Sequence, residues 1–174
     1  MSEAVAMRAG SPYALPSASV ARAIALLLPA ALLIGAFGSQ YVGGLHPCEM
    51  CWWQRYAHMA ALIFAALAFF FRAESTQART LTLLAALAVA VSGAIGVYHA
   101  GVEAKIFEGF TQCTATGQGL KGADLLNHLM HAPIVRCDEV QFRFLGITLA
   151  GWNAILSLGG AALIAVLTFR TRRA

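Results

Sequence analysis

Residues 47–58 read PCEMCWWQRYAH, a stretch that pairs two cysteines with a single arginine. Cys48 and Cys51 form a Cys-x-x-Cys motif, and Arg55 lies four positions, about one helical turn, after Cys51. At the start of a helix, backbone N–H groups and the helix dipole favour thiolate, so we expect a lowered pKa for Cys48. A disulfide within the motif closes a very small ring and adds little loop-closure stability. The motif therefore predicts thiol–disulfide exchange.

Two further cysteines, Cys113 and Cys137, follow later in the chain, and four cysteines allow three pairings. A zinc site would combine them with the first pair, but they do not form a second Cys-x-x-Cys knuckle. Covalent haem attachment requires a histidine directly after Cys51, where Trp52 stands. We therefore expect no metal site. Two inert structural disulfides are the alternative to a redox role.

Arg55 is the only charged residue in the apolar run 52–71. A cation at the centre of a membrane helix costs about 2.5–3.5 kcal/mol and commonly marks a functional site. The alternative is an interfacial anchor that acts with Trp52, Trp53 and Tyr56 as an aromatic belt. Beside a redox pair, we favour an arginine that hydrogen-bonds a quinone carbonyl and stabilises charge on its oxygen.

The composition indicates a membrane protein, because 59% of the 174 residues are hydrophobic and only 11% are charged. Each of four segments is long enough to cross about 30 Å of hydrocarbon as a helix. The first exceeds a usual signal-peptide core and follows a tail, residues 1–19, so we expect an uncleaved span. We predict an all-α membrane protein, a single domain over residues 1–174, with four transmembrane helices at residues 23–42, 52–71, 81–99 and 145–169.

Basic residues are distributed unevenly between the two predicted sides of the membrane. The two tails and the loop between the second and third spans contain seven arginines and two glutamates. The long loop at residues 100–144 contains four basic and five acidic residues. Positive charge marks the cytoplasmic side, so we expect both termini in the cytoplasm and all four cysteines in the opposite compartment, where disulfides persist. We relate the pI of about 9.1 to this asymmetry and expect no nucleic-acid partner.

Several short motifs are distributed along the chain. They are Cys48-Glu-Met-Cys51-Trp-Trp-Gln-Arg55, Tyr98-His99-Ala-Gly-Val-Glu103, the lone Cys113, Arg136-Cys137-Asp-Glu, and Leu145-Gly-Ile-Thr-Leu-Ala-Gly-Trp152-Asn153. With the four spans, they closely resemble the disulfide bond formation protein B (DsbB) family over roughly residues 20–170. The N-terminal tail carries no motif of that family.

The resemblance implies a four-helix bundle in the bacterial inner membrane, with a long periplasmic loop between helices three and four. Such a protein reoxidises a DsbA-like periplasmic oxidase of thioredoxin fold and passes two electrons to a membrane quinone, either ubiquinone or menaquinone. It thereby sustains disulfide formation in exported proteins.

The resemblance also implies roles for individual residues. Cys113 would form the mixed disulfide with the partner and pair with Cys137. Cys48 and Cys51 would be the membrane-proximal pair, with Cys51 the sulfur nearer the quinone. Arg55 would bind and polarise the quinone. The remaining candidates for quinone binding or proton transfer are His99 and Glu103.

Two other redox proteins share parts of this pattern. A relative of vitamin K epoxide reductase also combines four helices with Cys-x-x-Cys and a quinone, but there we expect the motif after the loop cysteines, whereas here it comes first. A haem-binding four-helix electron carrier would use His58 and His99 as ligands.

Overall fold

The computed structural model describes residues 17–109, 122 and 135–170. Within these ranges the chain forms four long helices and one short antiparallel ladder. The helices are α1 (Ser17–Tyr41), α2 (Glu49–Ala68), α3 (Thr76–Glu103) and α4 (Leu149–Arg170), and the ladder joins β1 (Arg143–Phe144) to β2 (Ile147–Thr148). Cys113 and the N-terminal tail predicted at residues 1–19 lie outside the described residues, except for the last three positions of that tail, which begin α1.

Three of these helices, α1, α3 and α4, are long and apolar enough to cross a membrane. Helix α2 has 20 residues, about 30 Å at 1.5 Å per residue, but it carries Gln54, Arg55 and His58. The all-helical membrane architecture agrees with the sequence prediction, and α2 as a fourth span stays a prediction. The polar residues that distinguish α2 are those that build the site below.

The four helices pack in a ring. Helix α3 packs against α2 and α4, α1 packs against the same two helices, and α1 and α3 lie across the diagonal. The core is built of small residues, because without a hydrophobic driving force in lipid close backbone approach supplies the packing. Its buried members include Ala25, Ala61, Ala65, Ala85, Ala86, Val89, Ala161 and Ile164.

The outer surface is apolar, the reverse of a water-soluble bundle. Large side chains such as Leu27, Ile34, Phe70 and Leu87 are exposed there. At one end of the bundle, Arg22 donates from Nη1 to the carbonyls of Ala68 and Phe71 at 3.1 and 3.0 Å, and so satisfies the C-terminus of α2. The site lies at the other end, where α1 and α3 finish and α2 and α4 begin.

Element boundaries differ from the prediction at the site end. Helix α3 continues to Glu103, four residues beyond the predicted end, so His99 and Glu103 both lie on its last turns. The predicted fourth span began at residue 145, but Leu145 and Gly146 form a tight turn with positive φ values of 52° and 79°. Such a two-residue hairpin turn requires φ above zero at both positions. Helix α4 therefore starts only at Leu149.

Gly96 controls the approach of α3 to α4. A Cβ at Gly96 would lie 3.0 Å from the Ala150 carbonyl oxygen, whereas a Cβ at Gly159 would meet nothing within 4 Å. We expect Gly96→Ala to lower the free energy of unfolding by about 1–3 kcal/mol through overpacking. Gly159→Ala is the matched control and should be neutral or slightly stabilising. Thermal unfolding in detergent measures both, and equal effects would contradict this account of the helix contact.

Candidate functional site

The two cysteines of the motif meet at the beginning of α2. Cys48 is the N-cap residue, with extended backbone, and Cys51 lies one turn into the helix. Their Sγ atoms are 3.3 Å apart, Cys48 is only 4% exposed, and Cys51 is half-buried. The pair is therefore close enough for thiol–disulfide exchange and is largely shielded from solvent.

The environment of Cys48 differs from the expectation for a helix N-terminus. Contacts with the thiols of Cys137 and Cys51, together with burial, raise the pKa of the Cys48 thiol above its ordinary value. The sequence prediction of a lowered pKa is therefore wrong in direction. Desolvation and neighbouring thiols, which the local motif does not encode, outweigh the helix dipole.

Arg55 lies one turn below Cys51 and is only 6% exposed. It donates to Gln40 Oε1 and, at 2.9 Å, to the Ala36 carbonyl, both on α1. Its guanidinium also lies over the Phe37 and Trp52 rings, 4.8 and 4.9 Å from their centroids. No carboxylate pairs with Arg55 among the described residues. The site therefore contains a buried positive charge that α1 fixes in position and that can stabilise an anion.

Gln54 determines which nitrogen of His99 carries hydrogen. One terminal atom of Gln54 lies 3.2 Å from the Met50 carbonyl oxygen and 3.0 Å from His99 Nδ1. A carbonyl only accepts, so this atom is the amide nitrogen, and it also donates to His99 Nδ1. In the neutral ring the hydrogen is then on Nε2. His99 Nε2 lies 3.5 Å from Cys48 Sγ and thus faces it as a donor.

Asn153 of α4 holds Gln54 in this orientation. Its Nδ2 donates to the Ser92 carbonyl at 3.2 Å and to Gln54 Oε1 at 2.8 Å. Its Oδ1 accepts from His58 Nε2 at 2.9 Å. The two amides therefore occupy the space between His58 and His99. A haem ligated by both histidines would have to displace them, which argues against the haem carrier.

Glu103 lies beside His99, with Oε1 3.8 Å from Nε2. Its side chain is 9% exposed, and its Oε2 has no hydrogen-bond partner among the described residues.

Donor atoms of Cys48, Cys51 and His99 lie within 4.8 Å of one another, a grouping of the size of a metal site. In the arrangement described above, the His99 nitrogen that faces the thiols carries a hydrogen, which a metal ion would have to displace.

Cys137 is brought to the pair from the loop that precedes α4. It is buried and packs in one cluster with Cys48, Met50 and Val102. The backbone of Cys137 also hydrogen-bonds His99. The loop thus delivers a third cysteine to the first two.

Polar contacts on both sides of Cys137 anchor this segment. Asp138 accepts from Lys105 Nζ at 2.6 Å and from Arg136 Nη2 at 2.8 Å. These hydrogen bonds, chiefly that from Arg136, hold the pKa of Asp138 well below its usual range, so its carboxylate stays ionised. Gln141 exchanges two hydrogen bonds with the backbone of His46.

Two cavities meet at the cysteine pair. One, of about 70 Å³, is lined on the loop side by Cys48, Cys51 and Arg136 among others. The other, of about 260 Å³, is lined by Cys51, Arg55 and His99 together with apolar residues of α1 and α4. Cys51 lines both cavities, whereas Cys48 lines only the smaller one. The pair therefore lies where a small loop-side cavity meets a larger, mostly apolar cavity within the bundle.

The structure assembles all but one of the residues selected from the sequence. The group comprises Cys48, Cys51, Arg55, His99, Glu103 and Cys137, and Cys113 lies outside the described residues. Sequence reasoning did not assign Gln54 and Asn153 to the site. The available signal was one polar side chain on each of two long helices, because a polar group inside a helical bundle requires a hydrogen-bond partner.

A helical bundle with an apolar outer surface and a buried dithiol centre defines a class of membrane proteins suited to thiol–disulfide chemistry. The family model for disulfide bond formation protein DsbB matches residues 18–167, and the chain belongs to this family. Membership implies a membrane protein of disulfide bond formation with disulfide oxidoreductase activity, in a family that is quinone-linked in general.

Curated relatives named disulfide bond formation protein B support this assignment. The protein of Methylococcus capsulatus is 34% identical over 83% of this chain and 90% of its own length. That of Acidovorax sp. (strain JS42) is 31% identical over 87% and 89%, and that of Marinobacter nauticus 28% over 76% and 80%. No solved structure matches the chain.

The raised pKa of the Cys48 thiol leads to a testable prediction about the pH dependence of its alkylation. In the reduced protein, we expect alkylation of Cys48 to reach half its maximal rate at a higher pH in the folded than in the denatured chain. Cys137→Ala removes the largest cause of the shift and should move that midpoint downward. Peptide mass spectrometry after timed alkylation measures it, with His46→Ala as a control near the pair. A midpoint that Cys137→Ala leaves in place would contradict the assignment.

Proposed function

We propose that this protein reoxidises a DsbA-like periplasmic oxidase of thioredoxin fold and passes the electrons to ubiquinone or menaquinone in the bacterial inner membrane. The observation that carries the proposal is the 260 Å³ cavity, at which a cysteine, a buried arginine and a histidine converge from two helices. A strong thiol oxidant requires a still stronger acceptor to regenerate it, and a membrane quinone meets this requirement.

The contents of the cavity wall support a quinone as its occupant. The ring of a quinone is flat and apolar, and the wall contributed by α1 includes Ala31, Leu32 and Leu33. Arg55 lies at the same wall with no carboxylate partner among the residues described. A hydrogen bond from this guanidinium would stabilise the negative charge that develops on a quinone oxygen during reduction.

The electron path follows the order of the thiols. A partner thiolate attacks Cys113 of a Cys113–Cys137 disulfide, and the Cys137 thiolate leaves. Cys137 then attacks Cys48 of the Cys48–Cys51 disulfide, which releases Cys51 at the quinone. The partner's second thiolate then attacks the mixed disulfide, so that the partner leaves as a disulfide and Cys113 is released as a thiolate. Cys113 attacks Cys137 of the Cys48–Cys137 disulfide, and Cys48 and Cys51 close their own disulfide as two electrons and two protons pass to the quinone to form quinol. The contact between Cys137 and Cys48 supports the interloop step.

The proposed topology has four spans, both termini in the cytoplasm and the cysteines in the periplasm. The charge asymmetry along the chain supports it. Helix α2 packs between α1 and α3 in the same ring as the three apolar helices, and its 20 residues have the length of a span. A polar face is tolerated in such a helix when it points into the bundle, and Gln54, Arg55 and His58 are all buried.

Loss of the arginine should separate quinone binding from thiol chemistry. We expect Arg55→Ala to lower kcat/KM for quinone by about 10²–10³, the usual effect of removing one preorganised donor to a developing anion. The measurement is anaerobic loss of quinone absorbance with purified protein, a short-chain quinone and reduced DsbA-type partner. Arg72→Ala, an exposed arginine outside the site, is the control. Cys48→Ser and Cys113→Ser should abolish turnover, and wild-type quinone kinetics in Arg55→Ala would overturn the assignment.

The loop anchor should influence the partner step and leave the quinone step intact. We expect Asp138→Asn to slow partner oxidation at saturating quinone by about two- to fivefold, the effect of losing exposed ion pairs. The KM for quinone should not change. Glu139→Gln is the matched control, since Glu139 is 65% exposed in its side chain and lies 3.5 Å from Arg136. Equal rates for the two variants would refute a role for the Asp138 anchor.

A further inference from the structure

A chain of directed hydrogen bonds leads from the interior of the bundle to the sulfur of Cys48. It begins at the Ser92 carbonyl on α3, which accepts from Asn153 Nδ2 at 3.2 Å. The same nitrogen donates to Gln54 Oε1 at 2.8 Å, and Gln54 Nε2 donates to His99 Nδ1 at 3.0 Å. His99 Nε2, at 3.5 Å from Cys48 Sγ, completes the chain, and the backbone of Cys137 is a second acceptor for the same ring.

The direction of this chain is determined by backbone carbonyls. Amide nitrogen and oxygen are otherwise interchangeable in Asn and Gln, but a backbone carbonyl can only accept. The Met50 carbonyl, 3.2 Å from Gln54, and the Ser92 carbonyl therefore fix both amides independently, and the two assignments agree. Reversing Gln54 would place its oxygen against a carbonyl oxygen inside a buried site. Such an unsatisfied contact costs about 1–3 kcal/mol.

We propose that Gln54 and Asn153 are positioning residues that hold His99 in the Nε2–H tautomer, so that His99 acts on Cys48 as a hydrogen-bond donor. A histidine beside a reactive thiol is commonly expected to accept its proton. Here the geometry assigns the opposite role, because the lone pair of the ring points away from the sulfur toward Gln54. His99 therefore stabilises the anionic form of Cys48 and does not act as its base.

This role, which rests on the proposed relay, belongs to the step in which Cys48 leaves a disulfide. When Cys113 attacks Cys137 of a Cys48–Cys137 disulfide, the Cys113–Cys137 bond forms and the bonding pair departs with Cys48 as thiolate. A donor 3.5 Å away stabilises that leaving group without a proton transfer. The thiolate is then available to close the bond to Cys51 as the electrons pass to the quinone.

The experiment reads the tautomer directly by ¹⁵N NMR of histidine-labelled protein in detergent, where a protonated and an unprotonated ring nitrogen have distinct shifts. The chain contains five histidines, and the His99→Gln variant identifies the His99 signals. We expect Nε2–H in the reduced wild type at neutral pH. Gln54→Met, of similar length but without a donor, should give a mixture, and Gln54→Glu should favour Nδ1–H, because a carboxylate accepts.

A second readout tests the consequence at the sulfur. In Gln54→Met, we expect alkylation of Cys48 in the reduced protein to slow by about tenfold at neutral pH, the effect of one hydrogen bond to a charged group. Asn153→Leu should act in the same direction, and Gln77→Leu, at the far end of α3, is the matched control. Far-UV circular dichroism and the elution volume in size-exclusion chromatography verify that each variant folds. If Gln54→Glu does not fold, the result for Gln54→Met tests the proposal.

The outcomes separate this proposal from the proposed function. An Nε2–H tautomer that persists in both Gln54 variants, or an Nδ1–H tautomer in the wild type, would overturn it. Quinone reduction by the wild type would still support the relay in either case. Conversely, the tautomer is read without quinone or partner, so loss of the relay would leave the NMR result valid.

Discussion

The site depends on keeping a positive charge inside an apolar bundle. Arg55 is buried without a carboxylate among the residues that the structure describes, and neutral groups hold it: an amide, a backbone carbonyl and two aromatic rings. A carboxylate partner would neutralise the guanidinium and remove its value to an incoming anion. Placing the charge on α2 explains why this helix is the least apolar of the four and why its polar face points inward.

Much of the fold and site followed from the sequence because both rest on local patterns. Apolar runs predicted the four long helices, with ends that differ from the observed ones by up to six residues, and Cys-x-x-Cys indicated the thiol–disulfide chemistry of the family. The pKa of Cys48 was predicted with the wrong sign, because Cys137 comes from a loop far along the chain and its arrival beside Cys48 is a tertiary event. The roles of Gln54 and Asn153 were missed for the same reason. In the sequence, Gln54 and Asn153 are each an ordinary polar side chain. The direction of their hydrogen bonds is determined only by the contact between them across α2 and α4.

The small residues of the core also support the geometry of the site. At Gly96 the backbones of α3 and α4 approach so closely that Asn153 of α4 can donate to the Ser92 carbonyl one turn away on α3. A larger residue at this contact would separate the helices and break the amide chain near its origin. At this end of the bundle, the helix packing and the hydrogen-bond chain therefore both require that α2, α3 and α4 keep fixed positions relative to one another.

The two cavities have a consequence for how this protein can change over evolutionary time. Cys51, Arg55 and His99 line both cavities, whereas Cys48 lines only the loop-side one, so the two spaces share a wall built around the cysteine pair. Beyond that shared wall the linings differ, because Arg136 and Gln141 line only the loop-side cavity, whereas Ala31 and Leu32 of α1 line only the larger one. Substitutions in one of these separate parts can therefore accumulate over evolution without altering the lining of the other cavity, whereas a substitution at Arg55 or His99 alters both.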